Sequence, residues 1–116
     1  MITKGIRGAI TVEDNSESAI KNAVCELFLE LIKQNNLTED NVSHVIFTVT
    51  KDLNSAYPAK FVRKDIGWSK TAFMCMQEAC VENSLPGCIR VLAVINCEEN
   101  FEPKYVYLKG AQSLRS

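Results

Sequence analysis

With 116 residues, 47% of them hydrophobic and 23% charged, the chain has the size and composition of one globular domain around a single modest core. The net charge is −1 with both signs spread along the sequence, which excludes recruitment by nucleic acid or a membrane surface through long-range charge. No run of about 20 apolar residues could span a bilayer, and the N-terminal MITKGIRG lacks the charged segment and apolar run of a signal peptide. The expectation is a cytoplasmic protein with one domain over 1–116 and a short C-terminal tail from about residue 110.

Gly5–Val12 is rich in Ile, Val and Thr and reads as a strand. Asn15 or Ser16 can cap the next element, with Glu17 in its first turn. From Ser18 to Gln34, Ile20, Val24, Leu27 and Leu31 recur at helical spacing, and Ala23, Phe28 and Ile32 widen the same face. Asn35 and Asn36 end this helix. Val42–Thr50 is a β-branched strand, and Lys51–Ala56 a loop. Pro58 suits the first turn of a second helix and Gly67 its stop, with Lys60, Arg63 and Lys64 on the polar side. Lys70–Met76 reads as a third strand and Gln77–Pro86 as irregular chain. Cys88–Asn96 is a fourth strand, whose continuous apolar run predicts burial on both faces. After the polar loop Glu98–Pro103, the alternating KYVYLK, Lys104–Lys109, is a fifth strand. The order β-α-β-α-β-β-β predicts an α+β domain, a mixed sheet with two helices on one face.

The cysteines, Cys25, Cys75, Cys80, Cys88 and Cys97, include no C-x-x-C pair, and the ordinary reading is free thiols that pack as small hydrophobes. His44 is the only histidine, which leaves serine–histidine chemistry and histidine metal sites little to work with.

Two arginines break the pattern. Arg90 is the one charged residue in GCIRVLAVIN, and Arg7 sits between Gly5 and Gly8 in another strand. A guanidinium does not shed its proton, so one set in a core strand needs an anion. A structural salt bridge would serve one arginine. The acidic residues, however, lie mostly around the first helix and in the Glu98–Glu102 loop, and only Glu78 directly follows a core strand. Two inward arginines against one inward carboxylate predict a pocket for a small anionic ligand, a carboxylate or phosphate. Cys75, Glu78 and Tyr107 join it by strand position. A thiol beside a carboxylate is a poor nucleophile, and GIRG lacks the Lys-Ser/Thr and following helix of a phosphate loop. Hydrogen-bonding groups and fixed charges remain, suited to a reaction helped by positioning and electrostatics without a covalent intermediate.

The segments G-I-R-G-A-x-T-V, Y-P-A-K-x-V-R, C-M-Q-E, C-I-R-V and V-Y-L, in this order over nearly the whole chain, resemble the monofunctional AroH-class chorismate mutases of Bacillus type. The resemblance implies an α+β subunit in a homotrimer with a pseudo-α/β barrel core, its active sites between subunits. It implies an isomerase that converts chorismate to prephenate by an intramolecular Claisen rearrangement, without cofactor or metal, in phenylalanine and tyrosine biosynthesis. By the same resemblance Arg90 stabilises the ether oxygen and contacts the enolpyruvyl carboxylate, Arg7 and Tyr107 bind carboxylate, and Glu78 with the Cys75 region holds the ring hydroxyl. Tyr57, Ala59, Lys60, Arg63 and Met74 belong to the neighbouring subunit's side or the mouth, and Leu114 and Arg115 to a tail that partly covers the site. The sequence departs from the family at Tyr57, where phenylalanine is usual, and at Met74, where threonine is common. The loop between Cys97 and Tyr105 is one residue shorter, which makes Tyr105 a competitor of Tyr107. The chain also stops at Ser116, where relatives run on, implying a less complete closure. The rival reading is a non-catalytic trimeric sensor of a small dicarboxylate.

Overall fold

The structure, a computed structural model, describes residues 1–115 and leaves the Arg115 side chain undescribed. Five strands form one sheet: β1 (Ile2–Thr11), β2 (Val42–Val49), β3 (Ala72–Gln77), β4 (Cys88–Cys97) and β5 (Val106–Leu108), in the spatial order β3-β2-β4-β1-β5. β4 is antiparallel to both β1 and β2, whereas β3 and β5 add in parallel at the two edges. The mixed α+β architecture expected from the sequence is present.

Helix α1 (Glu17–Asn35) starts where the Ser16 hydroxyl accepts a hydrogen bond from the Ala19 N–H, and stops at Asn36, whose φ of 51° is left-handed. Its apolar stripe, Ile20, Val24, Leu27, Phe28 and Leu31, is fully buried. It packs on Ile6 and Ile10 of β1, Val45 and Phe47 of β2, and Ile89, Val91, Ala93 and Ile95 of β4. The register puts these strand residues on one sheet face, since Ile6 faces Ala93, Ile10 faces Ile89 and Phe47 faces Val91. Phe28 is the hub, edge-on to Trp68 at 4.9 Å between ring centres. The second helical segment, α2 (Pro58–Phe61), widens into a π-type turn over Val62–Ile66. There the Gly67 N–H reaches back five residues to the Val62 carbonyl.

Two expectations are corrected. Beyond Cys88, which the tail covers, β4 is buried on one face only: its buried residues alternate with half-buried Arg90 and Val94 and exposed Leu92 and Asn96. Both helical segments lie on the other face, so the continuous apolar run marks a sheet face left open in the single chain. The last strand is shorter than Lys104–Lys109. It pairs only with Gly8–Ile10 of β1. The Lys104 backbone is instead held by the buried Asn35 side chain, and Lys109, at φ 53°, turns the chain into a 3₁₀ segment, Lys109–Arg115. Ala111 of that segment is buried against Ala9 and Cys88, and the Gly110 N–H donates to the Thr11 hydroxyl, which seats the tail beside the end of β1.

Candidate active site

The open face of the sheet carries a cleft of about 320 Å³, lined among others by Arg7, Thr48, Glu78, Arg90, Tyr107 and Leu114. Ladder register explains the convergence. Arg90 faces Ala9 across one side and Thr48 across the other, Arg7 faces Leu92, and Tyr107 faces Ala9. Four strands thus aim side chains at one place, although these residues are widely separated in the chain.

Glu78 follows β3 directly, and its backbone N–H donates to the Val49 carbonyl at 2.8 Å. Its carboxylate accepts from the Thr48 hydroxyl at 2.5 Å and lies 3.4 Å from Arg90 Nε. That distance permits ionic attraction, but Arg90 Nε is buried and its N–H finds no hydrogen-bond acceptor among the described residues. An unpaired buried N–H costs on the order of 1–3 kcal/mol. Arg7 is exposed and has no acidic partner within ion-pair distance among the described residues. This corrects the picture of two buried arginines: Arg7 stands in an open cleft, and Glu78 faces Arg90. The excess of positive charge over fixed counter-charge remains. Cys88, beneath Arg90, is buried; burial pushes its thiol pKa up, with partial opposition from the Arg90 charge. It is therefore a neutral packing group at ordinary pH.

Cys75 is not in this cleft. Its side chain points to the helical face with Phe73 and lines a second groove of about 550 Å³, shared with Glu17, Tyr57, Lys60 and Gln77. Alternation along β3 decides this, because Cys75 and Met76 must point to opposite faces. Tyr57 is exposed at the start of α2, and Lys60 is tied to Glu17 at 3.1 Å. Ala59 is buried behind the groove, whereas Arg63 is exposed on the π-type turn outside both pockets. Met74 is exposed on the open face and lines neither pocket. Tyr105 is also exposed and precedes β5, whereas Tyr107 lines the cleft, so the register favours Tyr107 over its competitor. Leu114 reaches the cleft from the tail; the role expected of the Arg115 side chain lies outside the described residues.

Sequence reasoning missed Thr48 and Glu17. Thr48 had a signal, a hydroxyl on an alternating strand, but its partner lies 30 residues away. Among the described residues no three His, Cys, Asp or Glu side chains are grouped as metal ligands would be, and no helix is long and apolar enough to cross a membrane.

Fold and site together define a small α+β protein with a cleft on an open sheet face, lined by two guanidiniums, a carboxylate and a tyrosine whose donors could bind an anion. Comparison with known proteins sharpens this. The profile of the family described as chorismate mutase type I matches residues 3–116, and the chain belongs to that family. It is 41% identical over 116 residues to the chorismate mutase AroH of Thermus thermophilus, covering 98% of this chain and 94% of the relative. To the chorismate mutase AroH of Bacillus subtilis strain 168 it is 34% identical over 116 residues, covering 99% and 91%. A solved chorismate mutase from Clostridium thermocellum superposes with a TM-score of 0.90 at 44% identity, over 95% of this chain and 98% of that one.

Proposed function

We propose that this chain is a chorismate mutase, an isomerase of aromatic amino acid biosynthesis that converts chorismate to prephenate in the cleft around Arg90. The observation that carries the reading is the pairing of Arg7 and Arg90 with Glu78 and Tyr107 in one cleft, with Arg90 Nε lacking an acceptor. Chorismate is a dianion and supplies the missing counter-charge.

In the rearrangement the bond between the ring carbon and the ether oxygen breaks while a carbon–carbon bond forms from the enolpyruvyl group to the ring. All atoms stay in one molecule and no proton is transferred. Negative charge builds on the ether oxygen as its bond lengthens. A guanidinium fixed beside that oxygen therefore binds the transition state more strongly than the substrate, which is the condition for raising kcat. Arg90 fills this role through its guanidinium and contacts the enolpyruvyl carboxylate as well. Arg7 and Tyr107 bind carboxylate, and Glu78, oriented by Thr48, holds the ring hydroxyl and offsets positive charge developing on the ring. Holding the extended substrate in its reactive, chair-like shape contributes through entropy.

In the same reading three copies associate around a pseudo-α/β barrel core. The cleft of each is completed by the neighbour's groove, which brings Tyr57, Lys60 and Cys75, with Ala59 behind them and Arg63 and Met74 near the mouth. This places Cys75 with the neighbour's residues and not beside the Glu78 of its own chain. Exposed Met74, Met76 and Leu92 on the open face support association, because apolar side chains grouped on one surface favour burial. Leu114 covers the remaining side. The sensor alternative gains no support from the relatives, which are named as enzymes.

The test is direct. Purified protein mixed with chorismate should speed the loss of chorismate's near-ultraviolet absorbance, with prephenate as product. No acceleration over the spontaneous reaction refutes the proposal. Light scattering should give a mass near three times 13.0 kDa, and a mass of one chain would remove the shared site.

A further inference from the structure

The start of β4 is pinned in an unusual way. The Gly87 N–H donates to Asp52 Oδ2 at 2.9 Å, and the next amide, of Cys88, donates to the Thr50 hydroxyl at 3.0 Å. Thr50 N–H returns a bond to the Cys88 carbonyl at 3.1 Å, and from the opposite side Val12 N–H donates to the Gly87 carbonyl at 2.7 Å. Two consecutive amides at the head of the strand are thus satisfied by side chains of one short loop. The loop is itself anchored, since Leu53 is buried in the core and its N–H bonds the Thr50 carbonyl at 3.0 Å. A hydrogen bond from the Thr50 hydroxyl is the main cause holding the Asp52 carboxyl below its ordinary pKa, so Asp52 is ionised and a strong acceptor at neutral pH.

What precedes β4 needs such a clamp. Cys80 to Ser84 are exposed, and Asn83 takes a left-handed φ of 62°. Without the clamp, motion of this segment would pass directly into Gly87 and Cys88. Arg90 is two residues beyond Cys88 and is laddered to Ala9 and Thr48, so it is the first cleft-facing side chain of the strand that a shift of the strand head reaches. Asp52 and Thr50 lie on the chain that follows β2, directly after Val49, whose carbonyl holds the Glu78 N–H. The clamp therefore ties together the strand ends that present both Arg90 and Glu78.

We propose that Asp52, acting with Thr50, is a positioning residue for the reaction: by clamping the Gly87 and Cys88 amides it fixes where the Arg90 guanidinium stands in the cleft. The inference rests on the chorismate mutase reading for its kinetic test only. It differs from a purely structural role in one respect. A displaced guanidinium keeps much of its attraction to a carboxylate that is charged in substrate and transition state alike, but loses its aim at an ether oxygen charged only at the transition state, so the loss falls mainly on kcat, with a small rise in KM. Small displacements suffice, since misplacement of about 1 Å can cost on the order of 100-fold in rate.

The experiment uses the full chain with Asp52→Ala, Asp52→Asn and Thr50→Val, each assayed on chorismate well below its melting temperature. Asp52→Ala and Thr50→Val should each lower kcat about tenfold or more, with KM within about threefold of the wild type. Asp52→Asn keeps an oxygen that accepts the Gly87 N–H and should recover most of the kcat. The proposal is overturned if Asp52→Ala keeps the wild-type kcat, if Asp52→Asn is as impaired as Asp52→Ala, or if the loss lies in KM alone. A second readout needs no turnover. The Arg90 Nε–H resonance, assigned through Arg90→Lys, should shift in Asp52→Ala and return in Asp52→Asn; an unmoved resonance overturns the proposal. A wild type that does not convert chorismate refutes the parent reading, and the resonance still decides this one. If Asp52→Ala fails to fold, Thr50→Val carries the same comparison, and a wild-type kcat in that variant overturns the clamp.

Discussion

Arg90 Nε lies 3.4 Å from Glu78 Oε1, yet its N–H points at no acceptor among the described residues, while the carboxylate is turned to the Thr48 hydroxyl at 2.5 Å. The pair is held close without being satisfied. A guanidinium held at the wall of a cleft binds more tightly to an oxygen whose negative charge is still growing than to a neutral ether oxygen. Arg90→Lys replaces the planar fork by a single rotatable ammonium. We expect an unchanged circular dichroism spectrum and a kcat lower by about 100-fold or more, on the order of 3 kcal/mol of transition-state stabilisation. A near-normal kcat would make Arg90 a structural residue.

Gly87 has a φ of 56°, and a Cβ there would stand 2.6 Å from the Val12 carbonyl oxygen. Gly67 has a φ of 90° but open space around it. Alanine at Gly67 carries backbone strain alone, about 1 kcal/mol, whereas at Gly87 it carries strain and a backbone clash, roughly 2–3 kcal/mol. Urea denaturation of the two variants should show this order, and Gly87→Ala should also lose activity because the strand head carries Arg90.

Asn35 is the buried polar residue at the end of α1. Its amide donates to the carbonyls of Leu31 and Lys104, and its oxygen accepts the Lys104 N–H at 2.8 Å. Asn35→Ala removes both bonds to the Lys104 backbone, which water can partly replace because Lys104 is exposed, and should cost about 1–2 kcal/mol in denaturation experiments. Because Tyr107 lies three residues further on, KM should rise in the same variant.

Glu39 takes the Thr71 hydroxyl and the Lys70 and Thr71 amides on one oxygen. Its pKa lies below the ordinary value, with the Thr71 hydroxyl as the largest cause. A carboxyl depressed by folding contributes its stability fully above its unfolded-state pKa, and the contribution disappears as pH falls through the folded-state pKa. Glu39→Gln should therefore melt below the wild type at neutral pH, with the gap closing on acidification. Melting temperature against pH measures it, and a gap that widens in acid would contradict the assignment.

Local pattern was legible wherever a residue's role depended on its near neighbours. The stripe Ile20, Val24, Leu27 and Leu31 specified α1 and its buried face, and Ser16 was among the two cap candidates. A guanidinium cannot be neutralised by proton loss, so a half-buried Arg90 could be expected from the sequence to need an anionic partner, whereas the same argument did not hold for Arg7, which is exposed to solvent. The tertiary structure decided how strands share faces. Periodicity says that Cys75 and Met76 point to opposite faces, but not which face holds the arginines; the ladder did, by placing Thr48 opposite Arg90 and Phe47 opposite Cys75. It also left one face of β4 open, because both helical segments pack on the other. A strand's period is a property of its own chain, whereas register and cover come from partners tens of residues away. Hence the chemistry of Arg90 could be read in GCIRVLAVIN, and its neighbours Thr48, Glu78 and Asp52 acquired their places only when the sheet closed.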